Sequence, residues 1–484
     1  MTRKLSPRLL QITFVVAFGF AVRLWLILEF PIIFGGDSMV RLANRNHILL
    51  SYQLPLLQLC IYLISLISTN IIWIQLFMAA LGALATLGFY LLAEDFTSMN
   101  AAFWAALLFT TNPLVLPVSI VPYQEILMLA GVLFAFHFFA KHQWAAASLC
   151  LGLACLTRFE PWAACPAMVF VYVRNHRFSF PSLIKACVLF GWAPVLWLCF
   201  RMGLSPSGSY VLDHAITVWR LQRLAYLSWI TLSQTAIPVL LLAFAGVLFL
   251  SRSGRWRSPG VQMGALFLAC FLAAILFSAH GMPPDPERYV TSREAHIPIV
   301  MVTLLAAVGL MRQSRAISAA LGVLGVLIGV YVAFQFISHE TSRPEVRLGY
   351  ELARYLDRNV SGDDRALILA RPIDVQTMNL YFNELRQSGG EQAVQAGKRA
   401  LANVETSPLD YQRTLIHSVL GKSRLNSSPE PGYSYRWVAV WSDFAPGKAR
   451  SPGWLQISSS QPAAVLKVRD RFVSVYYFPK PVAL

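Results

Sequence analysis

Charge is what this sequence has least of. Asp, Glu, Lys and Arg make up 13% of its 484 residues, against about 25% in a soluble globular chain, and the deficit excludes a soluble enzyme. Glycine and proline are not in excess, at 28 and 27 residues, which excludes a collagen-like or low-complexity architecture. No cysteine follows Cys270, so the C-terminal part has neither a disulfide framework nor a cysteine-based zinc site. That part also lacks a glycine-rich phosphate loop. No small-x-small cleavage site closes the first apolar run, which ends in Phe30-Pro31-Ile32-Ile33, so residues 1–30 are expected to hold an uncleaved first span rather than a signal peptide. Apolar residues take the place of charge: 56% of the chain is hydrophobic, with 31 Phe and 13 Trp, and mean hydropathy is +0.54. Much of such a chain meets lipid.

The charge that is present is unevenly placed. Residues 1–338 hold 21 Lys+Arg and 10 Asp+Glu, whereas residues 339–484 hold 19 and 14. More than half of the charges thus sit on less than a third of the chain. This predicts a transmembrane domain over 1–338 and an extracytoplasmic α/β domain over 339–484. Within the second part, 350–359 reads as a helix, and 366–370, 437–441 and 472–478 read as strands rich in Val, Tyr and Trp.

Apolar stretches long enough for about 30 Å of hydrocarbon fall at 10–31, 70–93, 101–119, 126–140, 183–201, 230–250, 260–279, 297–311 and 316–337. Between 143 and 174 the string Thr157-Arg158-Phe159-Glu160-Pro161 divides two shorter runs. Two half-length helices keep Arg158 and Glu160 at an aqueous margin, where one continuous helix would bury both in lipid. The segment 54–67 is too short to cross and is expected as an interfacial helix. The fold class that follows is a polytopic α-helical membrane protein of about 11 transmembrane helices with a C-terminal soluble α/β domain. Basic residues mark the retained side. With the N-terminus cytoplasmic, Arg3, Lys4, Arg8, Lys141, Arg174 and Arg177 fall in cytoplasmic stretches, followed by Lys185 and the Arg252, Arg255, Arg257, Arg312 and Arg315 group, accompanied by only two acids, Glu94 and Asp95. The other acids of the loops then lie outside. Those topological anchors explain much of the net charge of +16, and no nucleic acid partner is needed to account for it.

Four outer clusters can carry chemistry. The first is Gly35-Gly36-Asp37-Ser38, where two glycines turn the chain as it leaves the bilayer and Asp37 begins a short helix. Arg41 and Arg45 follow at four and eight residues, on the same helix face. The plain reading of Asp37 is a helix cap. The second is Asn112-Pro113, leading through Pro117 and Pro122 to Glu125 at a helix start, a place the helix dipole favours for an acid. The third is Arg158 with Glu160, read either as an ion pair closing a hairpin or as a functional pair. The fourth is Asp285-Pro286-Glu287-Arg288-Tyr289 with Arg293 and His296. An arginine there suits a lipid phosphate, because guanidinium matches its oxygens bidentately. His280, His296 and Asp213-His214 do not have the spacing of a familiar metal site.

In order and spacing these motifs resemble the polytopic GT-C glycosyltransferases that use polyprenyl-phosphate sugars, such as protein O-mannosyltransferases and lipid A aminoarabinose transferases. The matching positions are Gly36-Asp37 with Leu54-Pro55-Leu56, Asn112-Pro113 leading to Glu125, residues 152–161 across the short helical pair, and Glu287-Arg288-Tyr289 before a late span. Ser38 stands where many relatives carry a second acid, and Leu54-Pro55-Leu56-Leu57 replaces a Pro-Pro-Leu-Tyr run. The resemblance implies sugar transfer from a polyprenyl-phosphate carrier to a glycan, lipid or protein acceptor on the outer face of the inner membrane. Asp37 would be the general base, and Glu125 a second catalytic residue. Arg41, Arg158, Glu160, Arg288, Tyr289 and Arg293 would bind substrate. No nucleotide and no obligatory metal is implied, and a single displacement would invert the anomeric centre. The reading from a different class is a transporter or flippase of lipid-linked saccharide, which broken helices and intramembrane charge also suit. A scaffold that kept the fold without catalysis is a third.

Overall fold

A computed structural model describes residues 6–30, 33–43, 54–68, 70–176, 178–204, 221–254, 259–277 and 292–343, a few isolated positions between 45 and 359, and five strands after 365. The helices are α1 (Pro7–Glu29), α2 (Gly36–Ala43), α3 (Pro55–Ile67), α4 (Ile71–Phe96), α5 (Met99–Thr110), α6 (Gln124–Ala140) and α7 (Trp144–Cys155). They continue with α8 (Ala164–Asn175), α9 (Phe180–Leu204), α10 (Leu221–Ser233), α11 (Ile237–Ser253), α12 (Pro259–Phe277), α13 (His296–Leu310) and α14 (Arg315–Thr341). The chain divides into two compact units. One comprises Met1–Glu29, His47–Leu63 and Ile74–Phe336, the other Phe30–Asn46, Ile64–Trp73 and Ile337–Leu484.

Among the described residues four helices, α1, α4, α9 and α14, are long and apolar enough to cross a bilayer, or five if a bent pair counts as one span. Shorter apolar helical segments, among them Val261–Ala274 within α12, run 10–17 residues. Two expected spans differ from the structure. The stretch 101–119 is helical only to Thr110, because Pro113 has no N–H to donate and bars the residue before it from the helical region. The stretch 230–250 is not one helix. It is broken between Ser233 and Ile237, and the halves are bent by 116°. Pro238 sits in the first turn of α11, where its missing N–H costs nothing, so the sequence starts a new helix there. The hairpin expected between 143 and 174 is present as α7 and α8, and the short helix expected after Gly35 is α2.

Helices in lipid gain little from hiding apolar surface, so close packing through small residues matters more. Reciprocal glycines bring α11 and α13 into backbone contact: a Cβ built on Gly246 would lie 2.1 Å from the Leu305 carbonyl oxygen, and one on Gly309 2.1 Å from that of Leu242. Along α14, Gly322, Gly325 and Gly329 seat Trp104, Leu108 and the Thr111 carbonyl. Gly152 of α7 receives the Trp192 ring.

The strands are β1 (Ala366–Leu369), β2 (Val404–Thr406), β3 (Ser434–Ser442), β4 (Ala464–Val468) and β5 (Arg471–Ala483), in the order β2-β1-β3-β5-β4. β1 runs parallel to β2 and β3, with Ala366 opposite both Val404 and Trp437. β5 is antiparallel to β3 and β4, with Val468 opposite Arg471. The three strands read from sequence correspond to β1, β3 and β5. Of the helix expected at 350–359, Glu351, Leu352, Tyr355 and Asn359 are described, and all are helical.

Candidate functional site

Glu125 is delivered by an irregular connector that is buried throughout residues 111–122. A buried backbone without a ladder must find its hydrogen bonds elsewhere. Asn112 supplies two: its Oδ1 accepts from the Leu114 N–H at 2.9 Å, and its Nδ2 donates to the Gln234 carbonyl at 3.4 Å, in the break between α10 and α11. His296, at the start of α13, lies with Nε2 3.2 Å from the Leu114 carbonyl. A carbonyl only accepts, so Nε2 carries the proton. A single 3-10 turn, Pro117–Ser119, precedes α6, and Glu125 enters the first turn of that helix with no side-chain exposure.

The hairpin brings its charges to the same acid. α7 stops at Cys155, and Thr157 returns its hydroxyl to the Ala154 carbonyl at 2.6 Å. The Trp162 indole donates to the Cys155 carbonyl at 3.0 Å, so the last turn of α7 is satisfied from within the hairpin. The Leu156 carbonyl accepts from the Leu56 N–H at 3.1 Å, tying the start of α3 to this turn. Between these anchors Arg158 projects. Its Nη1 donates to Glu125 Oε1 at 2.5 Å, its Nε to Glu160 Oε1 at 2.7 Å, and its Nη2 also reaches Glu160. Arg158 is 12% and Glu160 14% exposed. One guanidinium thus faces two carboxylates.

The first loop forms a separate group in the other unit. Gly35 has φ +83°, a left-handed turn that a side chain would strain, and α2 starts at the next residue. Asp37 lies half-buried in the first turn, where the helix dipole favours it, and Arg41 lies in the last. Ser38 is buried and donates toward the Phe34 and Gly35 carbonyls, the latter at 2.7 Å. A carboxylate in its place would confront two acceptors, so the serine suits this turn and the second acid does not. Arg45 is corrected: it lies beyond the end of α2, its N–H bonded to the Leu42 carbonyl at 3.3 Å, and does not extend the Asp37–Arg41 face. Burial pulls its guanidinium pKa below the ordinary value.

Arg158, Glu125 and Glu160 are therefore brought together. Arg288 and Tyr289 lie outside the described residues, as do His280 and Asp213-His214, and Arg293 is described only as part of the 3-10 turn Ser292–Ala295. Among the described residues no group of three or more His, Cys, Asp or Glu could hold a metal ion. Sequence reasoning passed over Arg23, which is fully buried within α1. Its Nε donates to Ser119 Oγ at 2.6 Å, and its Nη1 to the Gly19 carbonyl and Thr110 Oγ1 at 2.7 Å each. The available signal was one arginine inside an otherwise apolar span.

By sequence, no protein-family profile and no curated protein matches the chain. By structure, it is similar to ArnT from Cupriavidus metallidurans in the apo state, with a TM-score of 0.58 at 13% identity, covering 96% of this chain and 97% of that one. The same protein bound to undecaprenyl phosphate gives a TM-score of 0.56 over the same shares, also at 13% identity. The archaeal oligosaccharyltransferase AglB from Archaeoglobus fulgidus, in complex with an inhibitory peptide and a dolichol-phosphate, gives 0.47 at 12% identity, over 89% of this chain and 69% of that one. The expected resemblance holds at the level of fold: the chain shares the helical fold of ArnT along nearly its whole length.

Proposed function

We propose that this chain is a membrane glycosyltransferase that moves a sugar from a polyprenyl-phosphate carrier to an acceptor on the extracytoplasmic face. The observation that carries the proposal is the likeness to ArnT over nearly both full lengths, one of those structures holding undecaprenyl phosphate. The reading keeps the N-terminus cytoplasmic, eleven crossings, and residues 339–484 as an extracytoplasmic α/β domain. The acceptor is a glycan, lipid or protein hydroxyl, and the transferred unit a hexose or pentose.

The chemistry asked of the chain is limited. The acceptor oxygen attacks the anomeric carbon, the bond from that carbon to the phosphate oxygen breaks, and the phosphate leaves with the electron pair. The hydroxyl proton goes to the Asp37 carboxylate. One displacement inverts the centre. The leaving group is already an anionic phosphate, so the main demand is for cations around it. Arg158 has its Nε, Nη1 and Nη2 directed to Glu125 and Glu160, an arrangement that favours ordering the two carboxylates over clamping phosphate. In this reading Arg288 and Arg293 clamp the phosphate, Tyr289 and Arg41 line the donor site, and Glu125 and Glu160 orient sugar hydroxyls.

The test is transfer by purified protein from labelled polyprenyl-phosphate sugar, scored by carrier release and acceptor labelling. Asp37→Asn keeps size and loses basicity, and is expected to lower the rate by about 10²–10⁴-fold. A variant as fast as wild type sinks Asp37 as the base. The 116° bend between α10 and α11 also suits a transporter of the same carrier. Movement of labelled carrier across vesicles with no new glycosidic bond would decide for that alternative.

A further inference from the structure

Arg23 is a charged group with only neutral acceptors. Its guanidinium is always protonated, it has no exposure, and among the described residues no carboxylate pairs with it. Each donated hydrogen bond ends on a different element: the Gly19 carbonyl in its own helix, Thr110 Oγ1 at the last residue of α5, and Ser119 Oγ in the 3-10 turn of the connector. Ser119 passes its single proton on to the Leu116 carbonyl at 2.6 Å. Thr110 Oγ1 lies 2.8 Å from Thr86 Oγ1, which lies 2.8 Å from the Gly82 carbonyl. Room for the guanidinium comes from that same Gly82, where an added Cβ would fall 2.0 Å from Arg23 Nε. The arginine thus holds both the start of the 111–123 connector and the turn six residues before Glu125. Intramembrane ionisable residues are expensive to bury and mark functional sites by default. A helix that needed only packing would be served by leucine.

We infer that Arg23 is a positioning residue: it fixes the buried connector that carries Glu125, and so sets where Glu125 meets Arg158. The inference rests on the transferase reading for its kinetic consequence, and on the hydrogen-bond network alone for its structural one.

The experiment compares full-length wild type with Arg23→Met, Arg23→Lys and Ser119→Ala in lipid nanodiscs, by hydrogen–deuterium exchange and by sugar transfer from labelled polyprenyl-phosphate sugar. In Arg23→Met, exchange over 111–123 is expected to rise by about tenfold or more while the 144–163 hairpin keeps its wild-type protection. Turnover is expected to fall by about tenfold or more with donor KM changed by less than about twofold, as when transition-state geometry and not binding is lost. Arg23→Lys keeps the charge but not the three-way reach, and should recover part of the rate; Ser119→Ala should loosen the connector alone. Wild-type exchange over 111–123 in Arg23→Met overturns the inference. So does a rise of equal size in every segment, which marks a general loss of packing, or a loosened connector with unchanged turnover. If wild type moves no sugar from any carrier, the transferase reading fails, and the exchange arm still decides whether Arg23 holds the connector.

Discussion

Two arginines are held inside the helical unit, and they are solvated in opposite ways. Arg158 has two carboxylates around it, so its own desolvation is compensated and both acids are bonded to the same guanidinium. Arg23 has hydroxyls and one backbone carbonyl, so no anion depends on it. The difference teaches which removals are dangerous. Taking away a cation that two buried anions need strands charge, whereas taking away a cation among neutral acceptors strands only hydrogen-bond partners, which can turn to one another.

The sharpest test of that contrast is Arg158→Met. With Glu125 fully buried and Glu160 nearly so, loss of the shared cation is expected to cost about 3–5 kcal/mol, read as a lowered unfolding midpoint in detergent. Adding Glu125→Gln and Glu160→Gln should return most of it. Arg23→Met removes three hydrogen bonds from a charged donor but also the cost of burying that charge, and the same midpoint measurement should show the smaller net loss. Equal losses for the two variants would break the comparison. Gly82→Ala keeps Arg23 but pushes on its guanidinium. Overpacking of about 1–3 kcal/mol is expected, with Arg23→Met/Gly82→Ala losing less than the sum of the singles because the clash has gone. At the bottom of the scale stands Arg8, whose bond to Glu94 is 2.8 Å long but whose side chain is 56% exposed. Arg8→Ala should shift the midpoint by less than about 1 kcal/mol.

The first loop and the hairpin were legible because punctuation marked them. Gly35-Gly36 before an acid and Pro161 after Thr157-Arg158-Phe159-Glu160 interrupt long apolar runs, and the interruption survives any averaging. The clustering of Arg158 with Glu125 was not legible, since the two are 33 residues apart and only the packing of α6 and α7 brings them together. Arg23 was lost for the opposite reason. The single charge between Arg8 and Glu29, near the two ends of α1, is outweighed by its apolar neighbours when hydropathy is averaged. The bend between Ser233 and Ile237 escaped in the same way, because both flanks are rich in Leu, Ile and Ala and outweigh the short polar string Ser233-Gln234-Thr235 and Pro238. In the last third of the chain, β2 was missed at three residues, too short for period-two alternation to stand out, and β4 was not read although it is longer than β1. Parallel pairing of β1 with β2 and β3 is a long-range choice that no local pattern encodes.

The reciprocal glycines of α11 and α13 bear on how this bundle can move. Each backbone occupies the space where the other would carry a side chain, at Gly246 against Leu305 and at Gly309 against Leu242. Two helices meshed in that way resist sliding and rolling, and they travel as one lever. The compliant joint next to that lever is the break between Ser233 and Ile237, where the Gln234 carbonyl is held by Asn112 Nδ2. Any shift of α11 at that break is therefore felt, through Asn112, by the connector that carries Glu125.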